Sequence, residues 1–230
     1  MRAGTEQVEA AVWSLQAGAL CLPEGRVRFR VWAPRCRDVA VRVVVPTARA
    51  PLAMSPGGEG WFEATLEDLG PGARYFYVLD GERDRPDPAS RAQPQGVHGP
   101  SEVVDPAAFA WSDGGWRGLS LAEMVIYEAH VGTFTPEGTF DAIIPRLQAL
   151  RDLGITVLEL MQVASFPGRR NWGYDGVHLY APQQSYGGPE ELRRLVDAAH
   201  DIPPYPSVRC RVRPRCRGRH RGAHAGRPAP

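Results

Sequence analysis

Two glutamates in apolar surroundings are the first residues of this sequence that could act together as catalysts. Glu128 lies within the apolar run 124–131, and Glu159 lies within the apolar run 155–163. Two carboxyl groups held about 5 to 5.5 Å apart can hydrolyse a glycosidic bond, one attacking and the other protonating. Both glutamates nevertheless lie in the middle of their runs, whereas the reactive groups of parallel β/α barrels follow the ends of the strands. We therefore favour a structural role for both over a catalytic one.

Ring and carboxylate side chains near the ends of these runs are candidates for a ligand-binding site. His130 lies at the end of the first run, and Trp172, Tyr174 and Asp175 lie in the loop after the second. An aromatic ring offers an apolar face to a ligand, and a polar atom on the ring can form a hydrogen bond. The alternatives stay open, because His130 and Tyr174 can pack internally and an aspartate before Gly176 is a common turn residue.

The elements that would position these residues follow from the apolar pattern of the second half. The runs 124–131 and 155–163 predict two strands buried on both faces, and the spacing of apolar residues over 139–150 predicts a helix between them. Gly154 is placed to end that helix. Pro145 is tolerable only if the regular part of the helix starts near it.

A second helix is predicted after a long loop. The loop covers 164–188, Pro189 takes the first helical position, and apolar residues from Leu192 to Ala199 share one face. Residues 122–200 therefore read as strand, helix, strand and helix, which is typical of a domain built on a parallel sheet.

The first half of the chain, residues 1–105, is predicted to form an antiparallel β-sandwich of immunoglobulin-like type. Short alternating runs lie between turn signals, at Arg26–Trp32, Val39–Val45, Trp61–Leu66 and Arg74–Leu79. Residues 83–106 are rich in Pro and Asp and lack periodicity, which predicts a connecting segment, and we place the linker at 106–121.

Five aromatic residues of the sandwich have two possible roles. They could form a surface platform for a sugar polymer, or they could fill the core, and we favour the core because aromatic residues on alternating strands are usually buried. The five are Trp32, Trp61, Tyr75, Phe76 and Tyr77.

Residues 201–230 differ from the rest of the chain. They hold 8 of the 27 basic residues and one of the 26 acidic ones, so residues 1–200 carry 19 minus 25, or −6, and the tail carries 8 minus 1, or +7. Their Arg and Pro content predicts disorder, although a third strand should follow the second helix. We therefore hypothesise that this tail is read out of the ancestral frame, which sequencing of the locus would test.

Composition excludes several function classes. The net negative charge of residues 1–200 argues against a nucleic-acid partner. No apolar run is long enough to span a membrane, so we expect no membrane partner. The first residues show no signal-peptide pattern. The four cysteines form no CxxC pair, so we expect no metal site, no cofactor and a reducing, cytoplasmic location. Nothing in the sequence indicates an oligomeric state.

Several uncommon sequence motifs resemble those of the α-amylase superfamily of glycoside hydrolases. They are VIYEAHVGTFTPEGTF at 125–140, LELM at 158–161 and FPGRRNWGYDGV at 166–177. Within the superfamily the combination is most similar to the malto-oligosyltrehalose trehalohydrolase family. The motifs FRVWAP at 29–34 and LGPGARYFY at 69–77 are similar to motifs of the sandwich domain that precedes the barrel in these enzymes and in glycogen branching and debranching enzymes. The resemblance covers residues 25–200.

The resemblance implies a carbohydrate-binding type of sandwich followed by the first two units of an incomplete (β/α)8 barrel. It implies hydrolysis of the α-1,4-glucosidic bond next to the trehalose end of maltooligosyl trehalose, an α-glucan, with release of trehalose. It also implies that Tyr174 stacks under the sugar at the cleavage point and that His130, Trp172 and Asp175 line the same site.

The resemblance assigns no catalytic residue to this chain. The family's nucleophile, acid and second aspartate follow barrel strands four, five and seven, and no residue here matches them. We therefore expect the chain by itself to be inactive as a glycosidase. The alternatives are a non-catalytic α-glucan-binding protein and part of a glycogen branching or debranching enzyme.

Overall fold

The computed structural model describes residues 16–202 and 207–210, and its first half is a sandwich of two antiparallel sheets. One sheet has the strand order β1-β2-β6-β5, and the other has the order β4-β3-β7-β8 with β9 also paired to β7. The strands are β1 Gly18–Leu22, β2 Arg26–Trp32, β3 Val39–Val45, β4 Leu52–Ala53, β5 Ser55–Pro56, β6 Trp61–Leu66, β7 Arg74–Leu79, β8 Arg83–Arg85 and β9 Ser101–Glu102.

The sandwich core is made by the inward residues of β2, β3 and β7. In β2 the buried residues alternate with partly exposed ones, as the sequence pattern predicts. Phe29 of β2 meets Tyr75 of β7 edge to face, with 4.7 Å between the ring centroids. The four strands predicted from alternation are confirmed with the same bounds.

The lack of periodicity over 83–106 predicted a connecting segment, and this prediction is wrong, because the segment is part of the sandwich. Its strands β8 and β9 pair with β7, and Asp87 between them is fully buried. The Asp87 carboxylate accepts hydrogen bonds from the Tyr75 hydroxyl at 2.6 Å, the Tyr77 hydroxyl at 3.3 Å and the Ala89 amide at 2.7 Å. Polar residues can be buried when they are hydrogen-bonded in this way, and such burial leaves no apolar periodicity in the sequence.

The predicted core position of the sandwich aromatics is confirmed for Tyr75 and Tyr77 and wrong for Trp32. Both tyrosines are buried, whereas 58% of Trp32 is exposed and Trp61 is only partly buried. The reason is register, because Trp32 and Trp61 face each other across β2 and β6 next to the buried pair Val31 and Phe62. Neighbouring residues of a strand point to opposite faces of the sheet, so the two indoles lie on the outer face.

The second half begins as a strand, a broken helix and a second, parallel strand. The elements are β10 Ile126–Ala129, α1 Val131–Phe134, α2 Phe140–Ile143, a 3-10 turn Ile144–Arg146, α3 Leu147–Asp152 and β11 Val157–Leu160. β10 and β11 pair in parallel with Ile126 opposite Val157. Pro145 lies in the 3-10 turn, so the predicted continuous helix is divided where proline cannot donate a hydrogen bond.

The prediction that the first of these strands is buried on both faces is wrong. Residues 126–128 of β10 are exposed, whereas most of β11 is buried against the helices. Within the described residues, therefore, β10 is an outer strand of the sheet.

The predicted long loop at 164–188 contains regular structure. β12 Ala164–Ser165 and β13 His178–Pro182 form an antiparallel pair, and a 3-10 turn Gln184–Tyr186 precedes α4 Gly188–His200. Pro189 is the second residue of α4 rather than the first. Leu195 and Ala199 of α4 are fully buried, as the helical spacing predicts. Within the described residues, every helix is too short or too polar to span a bilayer.

The expectation that residues 201–230 contain no third strand is wrong. β14 Ser207–Cys210 pairs in parallel with β11, with Ser207 opposite Val157. A strand edge offers unpaired main-chain groups, and these can bind a neighbouring segment whatever its side-chain composition. The missing strand was one of two observations behind the frame hypothesis, so the charge change alone now supports that hypothesis. The disorder predicted for 203–206 and 211–230 lies outside the described residues.

The segment predicted as a linker is held against the end of α4. The Ser112 amide and hydroxyl each donate to the Asp197 carboxylate at 2.8 Å. His200 binds the Asp113 carboxylate through Nδ1 at 2.7 Å and stacks on Trp116, with 4.0 Å between the ring centroids. These contacts tie the segment between the two halves to the last turn of α4.

Replacing His200 with alanine is expected to lower the free energy of unfolding by about 2 to 3 kcal/mol, since a buried ring and its hydrogen bond to Asp113 are lost together. Urea denaturation followed by circular dichroism measures this. The matched control is His98→Ala at an exposed position, for which we expect a change within about 0.5 kcal/mol. Equal losses in the two variants would contradict a specific role for His200.

Candidate functional site

A cavity of about 400 Å³ opens at the carboxyl end of β10. One part of its wall follows the strand directly, and the other part comes from the loop between β12 and β13 and from the turn before α4. Its lining residues are His130, Gly132, Thr133, Arg169, Arg170, Asn171, Trp172 and Tyr186. In parallel β/α barrels this end of the strands is where substrates bind.

His130 joins the strand end to the loop. Its Nε2 atom lies 2.7 Å from the main-chain carbonyl oxygen of Asn171. Because that oxygen can only accept, Nε2 carries the proton that is donated to it. The Thr133 hydroxyl lies 3.4 Å from Nδ1. The ring of His130 therefore borders the cavity while its N–H group holds the loop in place.

Asn171 organises the tip of this loop. Its Oδ1 accepts hydrogen bonds from the amides of Gly173 at 2.7 Å and Tyr174 at 3.0 Å, and its Nδ2 donates to the Asp175 carboxylate at 2.8 Å. The residue was not among the sequence candidates. The signal that could have found it is the tendency of Asn to bond its own backbone two residues onward in a turn.

The structure brings two of the four predicted binding residues directly to the cavity. His130 and Trp172 line it, with 6.4 Å between their ring centroids. Trp172 is 76% exposed and Tyr174 60% exposed, so both rings are open to a ligand. Tyr174 and Asp175 are not lining residues but lie next to the cavity on the same loop. Their predicted contacts with a sugar stay predictions.

Tyr186 lines the cavity from a buried position, and sequence reasoning missed it. Only 2% of the residue is exposed, and its ring meets Phe140 and Phe166 edge to face. Burial raises the pKa of the Tyr186 hydroxyl above its ordinary value, so the group stays protonated at neutral pH. The local sequence offers no signal for this role, because the contacts come from residues 20 or more positions away.

Gly132 allows the strand end to approach Tyr186. A Cβ atom at this position would lie 3.0 Å from Cε1 of Tyr186 and 3.1 Å from Cε1 of His130. Both distances are tighter than ordinary contacts, so the absence of a side chain at Gly132 keeps the two rings close around the cavity.

The two glutamates of the strands lie outside the cavity wall. Glu128 and Glu159 are opposite each other in the register of β10 and β11, and neither is among the lining residues. The cavity lining instead includes two exposed arginine residues, Arg169 and Arg170. Among the described residues no cluster of three or more His, Cys, Asp or Glu side chains could hold a metal ion. The site is therefore suited to binding through rings and hydrogen bonds.

Comparison with known protein families identifies the first half of the chain. Residues 3–108 match the family model described as carbohydrate-binding module 48, the isoamylase N-terminal domain. The match covers the strands β1 to β9.

Comparison with curated proteins extends the likeness into the second half. The chain is 51% identical over 186 residues to the malto-oligosyltrehalose trehalohydrolase of Deinococcus radiodurans, covering 80% of this chain and 30% of that protein. It is 46% identical over 181 residues to the enzyme of the same name from Saccharolobus solfataricus, covering 79% and 32%. A 1,4-alpha-glucan branching enzyme of Xanthomonas oryzae is 34% identical over 195 residues, covering 75% and 26%.

Comparison with solved structures finds the same two-part fold. A protein described as an alpha amylase from Salmonella typhimurium superposes with a TM-score of 0.79 at 44% identity, covering 86% of this chain and 33% of that one. The pullulanase of Bacillus acidopullulyticus superposes with a TM-score of 0.70 at 23% identity, covering 86% and 29%, and shares the fold. The chain thus spans about a third of the length of the relatives it matches.

Proposed function

Because this chain belongs to the malto-oligosyltrehalose trehalohydrolase family of glycoside hydrolases, we propose that it supplies the accessory sandwich and the first strands of an α-glucan-cleaving barrel. The substrate is maltooligosyl trehalose, and the reaction hydrolyses the α-1,4-glucosidic bond next to its trehalose end. The relatives of that name, at 46% and 51% identity, support this choice over the branching activity of the 34% identical relative.

The observation that carries the proposal is the ring-lined cavity at the carboxyl end of β10. An α-glucan presents C–H groups on the faces of its rings and hydroxyl groups at their edges, and the exposed faces of Trp172 and Tyr174 suit the former. The guanidinium groups of Arg169 and Arg170, which line the cavity, can donate hydrogen bonds to the hydroxyl groups of the glucan. Asp175, held by Asn171, offers an acceptor beside them.

The residues of this site bind and orient rather than attack. Hydrolysis of a glycosidic bond needs a nucleophilic and an acidic carboxyl group on either side of the bond. In the proposed enzyme these groups follow the fourth and fifth barrel strands. The loop that carries Trp172 and Tyr174 would then hold the sugar beside them, with His130 fixing the loop through the Asn171 carbonyl.

A binding measurement on the 230-residue chain tests the proposal. Trp172→Ala is expected to weaken binding of maltoheptaose, measured by isothermal titration calorimetry, about fivefold to tenfold, because a stacking ring is lost. The matched control is Trp111→Ala, which removes an exposed tryptophan that is not among the lining residues of the cavity and should leave the affinity unchanged. Equal affinity of the wild-type and Trp172→Ala chains would contradict the assigned site.

The proposed location is the cytoplasm. Cys21 and Cys36 are both free thiols in the described part of the chain. Unpaired cysteines are usual in a reducing compartment, and this supports the proposal.

A further inference from the structure

We infer that Gln183 is a positioning residue for the cavity, because its side chain fixes the segment from which Arg169 and Arg170 extend. Gln183 directly follows β13 and is 4% exposed. It is not among the lining residues of the cavity, so it acts through the loop rather than on a ligand. The identity of the ligand rests on the proposed function, whereas the position of the loop rests on the contacts of Gln183.

The side-chain amide of Gln183 is hydrogen-bonded through both of its polar atoms. Its Oε1 accepts from the Phe166 amide at 3.0 Å and from the Ser165 hydroxyl at 3.4 Å. Its Nε2 donates to the main-chain oxygen of Gly168 at 2.9 Å and to the Ser185 hydroxyl at 3.0 Å. A side-chain amide has two N–H donors and two acceptor lone pairs, and all four are used here. The amide therefore holds the chain at Phe166 and again at Gly168.

The partners of Gln183 require an amide at this position. Rotation of the amide by 180° would place Nε2 against the Phe166 N–H group and Oε1 against the Gly168 oxygen, so donor would face donor and acceptor would face acceptor. An ionised glutamate could accept from Phe166 but could not donate to Gly168. The contact thus needs a donor and an acceptor on one side chain of this length.

Ser185 extends the contact by one residue along the loop. Its hydroxyl accepts from Gln183 and donates to the main-chain oxygen of Arg169 at 3.3 Å. Ser185 belongs to the 3-10 turn that also carries Tyr186, a lining residue of the cavity. Side-chain hydrogen bonds therefore join the turn before α4 to the loop between β12 and β13.

The chain leaves the protein interior within the segment that Gln183 holds. Phe166 is buried, whereas residues 167–170 are exposed. Gly168 has φ +82, in the left-handed region that glycine adopts without strain. Arg169 and Arg170 follow directly, so the course of the backbone at Gly168 sets where their side chains start. A buried amide is thereby placed to fix an exposed and otherwise flexible segment.

Limited digestion of the 230-residue chain with trypsin, followed by mass spectrometry, tests the inference without a ligand. Trypsin cleaves after arginine, and a segment held by hydrogen bonds is cut when it opens locally. Gln183→Met keeps the length of the side chain but has no amide, and it is expected to speed cleavage after Arg169 and Arg170 about tenfold. Cleavage after Arg146, in the 3-10 turn between α2 and α3, reports opening of the second half and should rise less than about twofold.

Two further variants complete the digestion experiment. Gln184→Met makes the same change at the next, exposed position and should leave cleavage after Arg169 at the wild-type rate. Ser185→Ala removes the hydroxyl between Gln183 and the Arg169 oxygen, and we expect cleavage there to rise about threefold. If Gln183→Met is folded, a wild-type rate after Arg169, or an equal acceleration after Arg146, overturns the inference. If Gln183→Met is unfolded, the rate in Ser185→Ala decides in the same way.

Binding of maltoheptaose shows whether Gln183 acts through the two arginines. We expect Gln183→Met to weaken the calorimetric affinity about fourfold in the wild-type chain and less than about 1.5-fold in the Arg169→Ala/Arg170→Ala chain, because the effects of coupled residues are not additive. A residue that only stabilises the fold would weaken binding alike in both chains, and that result would contradict the positioning role.

The outcomes separate this inference from the proposed function. Accelerated cleavage after Arg169 in Gln183→Met, with no binding of maltoheptaose to the wild-type chain, would support the role of Gln183 in the loop and contradict the α-glucan ligand. Conversely, binding that depends on Trp172, together with wild-type cleavage in folded Gln183→Met, would support the cavity and overturn the positioning role.

Discussion

Replacing Asp87 with alanine is expected to lower the free energy of unfolding of the sandwich by about 3 to 4 kcal/mol. The carboxylate is fully buried and accepts from the hydroxyl groups of Tyr75 and Tyr77 and from the Ala89 amide. Alanine would leave these buried donors without their partner, and each unsatisfied group costs about 1 to 3 kcal/mol. The loss would also free the segment between β8 and β9 from β7.

Chemical denaturation of the 230-residue chain, followed by tryptophan fluorescence, measures this loss. The matched control is Asp38→Ala, which removes an exposed aspartate of the same sandwich and should change the free energy of unfolding by less than about 0.5 kcal/mol. A stability of Asp87→Ala equal to that of the control would show that the buried network contributes nothing.

The same carboxyl group is expected to make the folding stability depend on pH. Burial raises the pKa of Asp87 above its ordinary value of about 3.9, although the hydrogen bonds from Tyr75 and Tyr77 oppose the shift. The part of the folding stability that is linked to protonation of Asp87 is therefore complete below the pKa of the unfolded chain and is lost as pH rises through the raised pKa of the folded chain. The stability difference between wild type and Asp87→Asn should accordingly fall as pH rises from about 4 toward neutrality. A difference that grows over this range would contradict the assignment.

Replacing Tyr186 with alanine is expected to lower the free energy of unfolding by about 3 to 5 kcal/mol and to disturb the cavity. The ring is almost fully buried between Phe140, Phe166 and His130, with ring centroids 5.6 to 6.1 Å away. Its removal would open a void in the cavity lining and take away the edge-to-face neighbour of the His130 ring. We therefore expect maltoheptaose affinity to fall with stability.

Two variants isolate the contribution of the Tyr186 ring. Tyr186→Phe keeps the ring and should lose no more than about 1.5 kcal/mol, since the hydroxyl lies 3.5 Å from Nε2 of His130. Tyr180→Ala removes an exposed tyrosine of β13 and should be close to neutral. If Tyr186→Ala unfolds at the same denaturant concentration as Tyr180→Ala, the ring is not the packing centre described above.

The loop that carries Trp172 and Tyr174 shows which features of the candidate site came from the sequence and which came from the structure. The sequence motif around Trp172 and Tyr174 identifies the family. Because this motif follows a predicted strand, it also locates the loop at the carboxyl end of the sheet. The contacts that shape the loop were not predicted. The Asn171 carbonyl meets His130 from 41 positions away, and no local pattern encodes a partner at that separation.

What the sequence determined by itself is local and periodic. The alternation in β2, β3, β6 and β7 and the helical spacing in α4 predict those elements, because burial of one face repeats every two residues in a strand and every 3.6 in a helix. The uncommon motifs that indicate the family are also short and local in sequence. The sandwich, the parallel strands that follow it and the family resemblance could therefore be inferred without coordinates.

The features that only the tertiary structure decided depend on contacts between residues that are distant in sequence. Asp87 is buried because Tyr75 and Tyr77 donate to it, and Trp32 is exposed because the register with β6 turns it outward. β14 forms because the main-chain edge of β11 accepts a neighbour, a property that side-chain composition does not reveal. In each case the deciding interaction is a hydrogen bond or a register between remote segments, and such interactions become defined only when the chain is folded.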